Sequence, residues 1–123
     1  MINLLFAMVL TSMLSTSLAD ITRAISSGDA DALGQHFDQT VEIAILDQDN
    51  IYNKAQAIGV IRQFFSQNTP RSFSQVHQGT SKGADSQYCI GNLNTASGTF
   101  RVYIYMKSVG GKHLIQELRF DKE

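Results

Sequence analysis

The stretch TFRVYIYMK, residues 99–107, decides the fold of this chain. Phe100, Val102, Ile104 and Met106 alternate strictly with tyrosines, charged residues and a threonine. Successive side chains of a strand point to opposite faces of a sheet, so the alternation predicts a strand with one apolar face and one face of aromatic rings and charges. The apolar face belongs in a core, and the aromatic face favours a partner.

Outward from this strand, the second half of the chain contains three more strand-like segments. The predicted strands cover residues 73–79, 87–94, 99–107 and 114–120, and the segments between them, 81–84, 95–98 and 108–111, contain glycine. Short glycine-containing connections join neighbouring strands as antiparallel hairpins. The second half therefore predicts an antiparallel meander.

The pairing of these strands follows from their turns. A two-residue turn at Ala96-Ser97 pairs Leu93 with Phe100 and Tyr88 with Tyr105. In the last hairpin, we expect Ser108 to lie opposite Lys112 around a three-residue loop. That register places Gln116 on the inner face and Ile115 on the outer face.

The first half of the chain is predicted to be mainly helical. Ile21, Ala24 and Ile25 recur at helical spacing, and Asp29 is the predicted N-cap of a second short helix near residues 29–36.

A strand and a longer helix follow. Residues 41–46 predict the strand by their β-branched content, and Asp47-Gln48-Asp49-Asn50 is typical of a turn. Asn53 is the predicted cap of the long helix, which ends before Pro70. Helices followed by a meander predict an α+β fold, with N-terminal helices packed on a curved antiparallel sheet. The 123 residues suit one domain.

Composition argues against several classes of function. Lys plus Arg number 10 and Asp plus Glu number 11, and the chain has no basic block, so we expect no nucleic-acid partner. Cys89 is the single cysteine, and no Cys/His cluster has the spacing of a zinc site. We therefore expect neither a metal nor a cofactor.

The N-terminus resembles an export signal. Residues 1–19 lack charged side chains, contain an apolar run and end in Ser17-Leu18-Ala19, the small-residue pattern that a signal peptidase recognises. We expect residues 1–19 to be a signal peptide and residues 20–123 to be one exported domain, periplasmic or extracellular, with no membrane span. In the alternative, the segment begins the first helix of a cytoplasmic protein.

Several motifs in the helical half carry a resemblance to a known superfamily. They are Ala24 to Leu33 with its Gly28-Asp29 step, His36-Phe37, Ile51 to Ile58, and Phe64-Phe65. Over residues 21–120 the chain resembles the nuclear transport factor 2-like superfamily of cone-shaped α+β folds, which are cystatin-like. Within it, the chain resembles small exported bacterial proteins with no assigned function. The resemblance implies dimerisation through the sheet face and, in the superfamily's enzymes, an acid or base that projects into the cone.

The predicted inner face offers a candidate ligand site between helices and sheet. Its residues are Cys89, Phe100, Val102, Ile104, Gln116 and Leu118. Only Gln116 is strongly polar, whereas acid–base catalysis needs a titratable group within reach of the substrate. We therefore expect a non-catalytic domain whose cone holds a small apolar ligand or a segment of a partner.

An enzyme remains the alternative. His77 shares one face of its predicted strand with Phe73 and Gln75, and if that face is inward, His77 could act as the acid or base of an isomerase or dehydratase. If the face is outward, His77 is a surface histidine.

The predicted outer face is a candidate interface. Its residues are Tyr88, Ile90, Arg101, Tyr103, Tyr105, Ile115 and Glu117. An aromatic patch with a charged rim is typical of an association surface, so we expect a homodimer. The alternatives are a solvated sheet face and a docking face within a larger envelope assembly.

Overall fold

The computed structural model describes residues 16–81 and 85–123. Most of the predicted signal peptide, and residues 82–84 of the predicted turn at 81–84, lie outside the described residues.

Three helices occupy the first half of the described chain. They are α1 (Thr16–Ser27), α2 (Ala30–Gly34) and α3 (Lys54–Gln67). The side chain of Asp29 accepts a hydrogen bond from the Ala32 amide at 3.0 Å, which caps α2 as predicted. Asn53 and Gln56 form a reciprocal capping box at the start of α3, which satisfies two backbone amides of the first turn.

Six strands of the described residues form one sheet. They are β1 (Phe37–Ile45), β2 (Gln48–Asn53), β3 (Pro70–Thr80), β4 (Ser86–Thr95), β5 (Gly98–Val109) and β6 (Lys112–Lys122), in the order β2-β1-β6-β5-β4-β3. The predicted α+β class is confirmed. The sheet is mixed rather than wholly antiparallel, because β1 runs parallel to β6.

The segment Asp47 to Asn50, predicted as a turn, mostly belongs to the edge strand β2. The turn lies at Leu46 and Asp47 instead, because Ile45 pairs with Gln48. Leu46 adopts the left-handed conformation with φ of 54°, which is uncommon for a residue other than glycine.

The two hairpins differ in how far their pairing was predictable. Leu93 pairs with Phe100 and Tyr88 with Tyr105, as predicted. In the β5–β6 hairpin the predicted register is wrong, because Gly110 and Gly111, with φ of 58° and 82°, form a two-residue turn.

A β-bulge follows in β6 and changes which side chains face the core. Met106 pairs with Ile115 and Tyr105 with Glu117, so Gln116 has no partner in the β5–β6 ladder. Ile115 is fully buried in the core, which corrects its predicted place on the outer face.

The core lies between the helices and the inner face of the sheet. Ile21 and Ile25 from α1 and Phe64 from α3 are buried there with the inner side chains of the strands. The Phe64 ring lies 4.3 Å from that of Phe120 and 5.1 Å from that of Phe100, measured between ring centroids. Among the described residues, we find no helix with the length and apolar character needed to cross a membrane.

Candidate functional sites: a helix–sheet cleft and the outer face of the sheet

A cleft of about 500 Å³ opens between α3 and the sheet. Its inner lining is apolar or aromatic and consists of Ile43, Ile45, Tyr52, Val60, Phe64 and Phe100. Its rim consists of Leu46, Gln48, Gln63, Gln67, Asn68 and Lys122. The volume lies within the range of small-molecule sites, roughly 300–1,000 Å³.

Lys122 is held in one place at the rim. Its Nζ donates a hydrogen bond to the Ser97 carbonyl at 2.7 Å and lies 4.6 Å from the centroid of the Phe100 ring. The second contact is a cation–π interaction that joins the rim to the apolar lining. A fixed ammonium group therefore borders an aromatic wall.

The opposite rim is set by the turn between β1 and β2. Leu46 is 53% exposed there in its left-handed conformation, although its amide is bonded to the Phe120 carbonyl at 2.9 Å. Strained conformations of this kind persist where the surrounding structure fixes them, and they often occur at binding sites.

The second candidate site is the tyrosine patch, which we define as Tyr88, Ile90, Tyr103 and Tyr105 on the outer face of β4 and β5. Each of the three tyrosines remains 37–38% exposed. With Glu117 they border a shallow groove of about 230 Å³. Large aromatic side chains are thus grouped on a surface in contact with solvent.

Charged groups surround the patch. Arg101 donates hydrogen bonds to Asn92 at 2.8 Å and to Glu123 at 2.9 Å, which fixes its guanidinium at one edge. At the other side, a hydrogen bond with Asp49 and the repulsion of nearby carboxylates raise the pKa of Glu42 above its usual value. Carboxylates therefore outnumber cations on the β1, β2 and β6 side of the face, where Arg119 lies 3.9 Å from Asp49.

His77 lies on this outer face and is exposed. A bulge at Val76 changes the register between β3 and β4, so that His77 pairs with Ile90. Its Nε2 lies 2.9 Å from the Tyr88 hydroxyl. The conditional prediction of His77 inside the cone is thus wrong, and its position gives no basis for acid–base chemistry there.

A protein-family model describes residues 18–121 of the chain as the DUF4783 domain of unknown function. The chain belongs to this family. No curated protein matches the sequence.

Solved structures of DUF4783 proteins are similar to the chain throughout its domain. A family member from Bacteroides uniformis is 30% identical with a TM-score of 0.81, over 85% of this chain and 95% of that one. A member from Bacteroides ovatus is 28% identical with a TM-score of 0.82, over 85% of this chain and 94% of that one.

A more distant structure shows the wider fold class. A nuclear transport factor 2-like protein of unknown function from Cytophaga hutchinsonii has a TM-score of 0.61 at 8% identity, over 86% of each chain. The predicted resemblance to this superfamily and to bacterial proteins of unknown function is confirmed.

In this DUF4783 domain, most of the predicted ligand-binding residues are core residues rather than cleft residues. Cys89, Val102, Ile104 and Leu118 are at most 1% exposed, and of the predicted set only Phe100 also lines the cleft. Close packing fills the space where they were expected to contact a ligand. Burial also raises the pKa of the Cys89 thiol to about 11, so the thiol stays protonated at neutral pH.

Gln116 lies away from the cleft because of the bulge. Its amide nitrogen donates to Asp38 Oδ2 at 3.0 Å, and this bond, with a second from the Gln39 amide, lowers the pKa of Asp38. Gln116 therefore holds the start of β1 against β6.

Of the predicted interface residues, all but Ile115 belong to the outer face or its edge. The cleft rim was missed because it depends on β2 and on the last residues of β6. Gln63 and Gln67, one helical turn apart on α3, were the available signal, since they place two amides side by side. Among residues 16–81 and 85–123, no three His, Cys, Asp or Glu side chains are grouped so as to hold a metal ion.

Proposed function

We propose that the chain is a non-catalytic, exported domain that forms a homodimer through the tyrosine patch and binds a small apolar ligand in the helix–sheet cleft. The exposed tyrosine patch is the observation that carries the dimer. Tyrosines supply large contact area at a low cost in conformational entropy, and aromatic residues are enriched at protein interfaces.

The distribution of charge supports a second copy of this chain as the partner. Glu42, Asp49 and Glu117 lie on the β1, β2 and β6 side of the outer face, with Arg119 as the cation among them, whereas His77 and the tyrosine patch lie on the β3, β4 and β5 side. A two-fold axis through the patch and parallel to its strands would place the carboxylates of one copy opposite the tyrosine hydroxyls and imidazole of the other. Such an isologous contact keeps like charges apart.

The lining of the cleft supports binding rather than catalysis. Among its described lining residues, the polar groups are four carboxamides, the Tyr52 hydroxyl and the Lys122 ammonium. Acid–base catalysis commonly uses a carboxylate or an imidazole near the substrate, and this lining instead presents apolar surface with hydrogen-bonding groups at its edge.

The dimer is tested by Tyr103→Glu in the purified protein. The wild type should elute as a dimer in size-exclusion chromatography with light scattering, and the variant as a monomer, because two symmetry-related carboxylates would be buried in an aromatic contact. Leu46→Glu is the matched control, since Leu46 is an exposed apolar residue at the cleft and its substitution should leave the dimer intact.

Two results would contradict the proposed dimer. A wild-type protein that remains monomeric at high concentration has no such interface. A Tyr103→Glu protein that remains dimeric, with an unchanged circular dichroism spectrum, associates through another surface.

A further inference from the structure

We infer that the cleft binds a small amphipathic carboxylate, whose apolar body lies against Phe64 and Phe100 and whose carboxylate lies beside Lys122. The inference rests on the proposed ligand-binding function and adds the charge of the ligand to it.

The charge of the cleft favours an anionic ligand. Of the described residues that line it, Lys122 alone carries a formal charge, and none carries a carboxylate. Glu123, the next residue, is bonded to Arg101 rather than to Lys122. An anionic ligand would therefore meet one cation and no carboxylate within the lining.

The Lys122 ammonium is positioned for a carboxylate before any ligand binds. Lys122 is held by the Ser97 carbonyl and the Phe100 ring, so part of the entropy cost of fixing a lysine is already met before a ligand binds. An ammonium has three N–H donors, and the Ser97 carbonyl uses one of them. The remaining donors are available to a carboxylate oxygen, and a hydrogen bond between charged groups is stronger than one between neutral groups.

The side-chain amides of the rim supply neutral hydrogen-bond donors for the same carboxylate. Gln63 and Gln67 are exposed on one side of the cleft and Gln48 on the other. Their N–H groups can donate to the second oxygen of a carboxylate without adding charge. One cation with neutral donors matches a monoanion, whereas a dianionic phosphate would leave a negative charge without a counterion.

The size and chemistry of the inner lining indicate the apolar part of the ligand. Phe64 and Phe100 are almost completely buried, while Tyr52 and Val60 are half-buried. Rings favour offset or edge-on contact with another aromatic group. A phenyl or short branched alkyl group fits this lining and a cleft of about 500 Å³.

The test uses a matched pair of probes on the intact protein. 3-Phenylpropionate and its neutral amide, 3-phenylpropionamide, have nearly the same shape. In amide NMR titrations, both should shift the resonances of Val60, Phe64 and Phe100, and the acid should bind about fivefold more tightly because only it pairs with Lys122. Raising the salt concentration from about 0.05 M to about 0.5 M should weaken the binding of the acid and leave the binding of the amide unchanged.

Two variants separate the ammonium from the cleft. Lys122→Met keeps an unbranched apolar side chain without the ammonium group and should bring the affinity of the acid to that of the amide. Lys112→Met, at the β5–β6 turn, should leave both affinities unchanged. Val60→Phe should fill the cleft and weaken both probes while the fold, followed by circular dichroism, is retained.

Equal binding of acid and amide to the wild type would overturn the inferred ligand class and leave ligand binding in the cleft standing. Binding of neither probe, or shifts confined to residues outside the cleft, would overturn the inference together with the ligand-binding part of the proposed function.

Discussion

At Gly91, strand β4 has no room for a side chain. A Cβ built there would lie 2.2 Å from the Phe73 ring and 2.7 Å from the Ser74 carbonyl oxygen. The Phe73 ring thus occupies the space above the glycine on the inner face, next to the end of α1. The Phe73 ring could turn aside, but the contact with the Ser74 carbonyl oxygen cannot be relieved without moving the edge strand β3.

We expect Gly91→Ala to lower the free energy of unfolding by about 1–3 kcal/mol, the usual cost of overpacking. Gly59→Ala is the matched control. Its Cβ would meet nothing within 4 Å in the middle of α3, so the same methyl group should raise the free energy of unfolding by up to about 1 kcal/mol through helix propensity. Urea unfolding of both variants measures the difference, and a Gly91→Ala protein as stable as the wild type would contradict the steric argument.

The alternation of apolar and polar residues predicts which face a side chain occupies only where no bulge interrupts the strand. The face of every residue from Phe100 to Met106 followed from the sequence, because that strand has an unbroken period of two. The faces of Ile115 and Gln116 did not, since a bulge adds one residue and reverses the side chains before it. Nothing in the local sequence LIQEL marks the bulge, which forms where β6 must meet β5 on one edge and β1 on the other.

At the scale of elements, the start of α3 is fixed by the capping box. The Asn53 side chain accepts from the Gln56 amide at 2.8 Å, and the Gln56 side chain accepts from the Asn53 amide at 3.2 Å. This end of α3 also follows β2 directly, so the cap fixes the helix that forms one wall of the cleft.

Asn53→Ala should lower the free energy of unfolding by about 1 kcal/mol, because the Gln56 amide loses its side-chain acceptor. Asn53→Asp keeps the acceptor and places a negative charge at the positive end of the helix, so it should retain the stability of the wild type or exceed it slightly. Thermal unfolding of both variants checks the expectation. Equal losses in the two would mean that the amide nitrogen of Asn53, rather than the cap, is what matters.

The caps and the meander could be predicted because their signals are local. Strand β2 could not, because it consists largely of the turn-forming residues Asp, Gln and Asn and lies at the edge of the sheet with nearly every side chain exposed. The cleft was missed for the same reason, since one of its sides is β2 and the turn before it. As an edge strand, β2 is held in its extended conformation by pairing with β1 rather than by a strand-forming pattern in its own sequence.

At the scale of the whole molecule, α1 bears on the proposed export. The described part of this helix starts at Thr16, so cleavage after Ala19 would remove residues 16–19 from it and leave Asp20 at the new end. Asp20 is bonded to Arg23 at 2.9 Å, and a carboxylate is favourable at a helix N-terminus. Ile21, Ala24 and Ile25, which pack in the core, would all remain.

The full chain, expressed with a C-terminal tag in a Gram-negative bacterium, should be recovered from the periplasm with residues 1–19 removed, as measured by intact mass. Ala19→Leu should block cleavage, because the peptidase requires a small residue there, whereas Leu18→Val should be processed normally. A wild-type protein of uncleaved mass in the cytoplasm would show that residues 1–19 belong to the mature chain.

The parallel pairing of β1 with β6 affects the order in which the strands can pair during synthesis. Residues 42–45 pair with residues 48–51 of β2 on one side, but on the other side they reach their sheet neighbours only at residues 117–120. Contacts this distant along the chain form late and slowly, because a long loop must close before they are gained. A polypeptide growing on the ribosome can therefore form the β1–β2 hairpin early, but it cannot join β1 to the rest of the sheet until residues 117–120 have emerged.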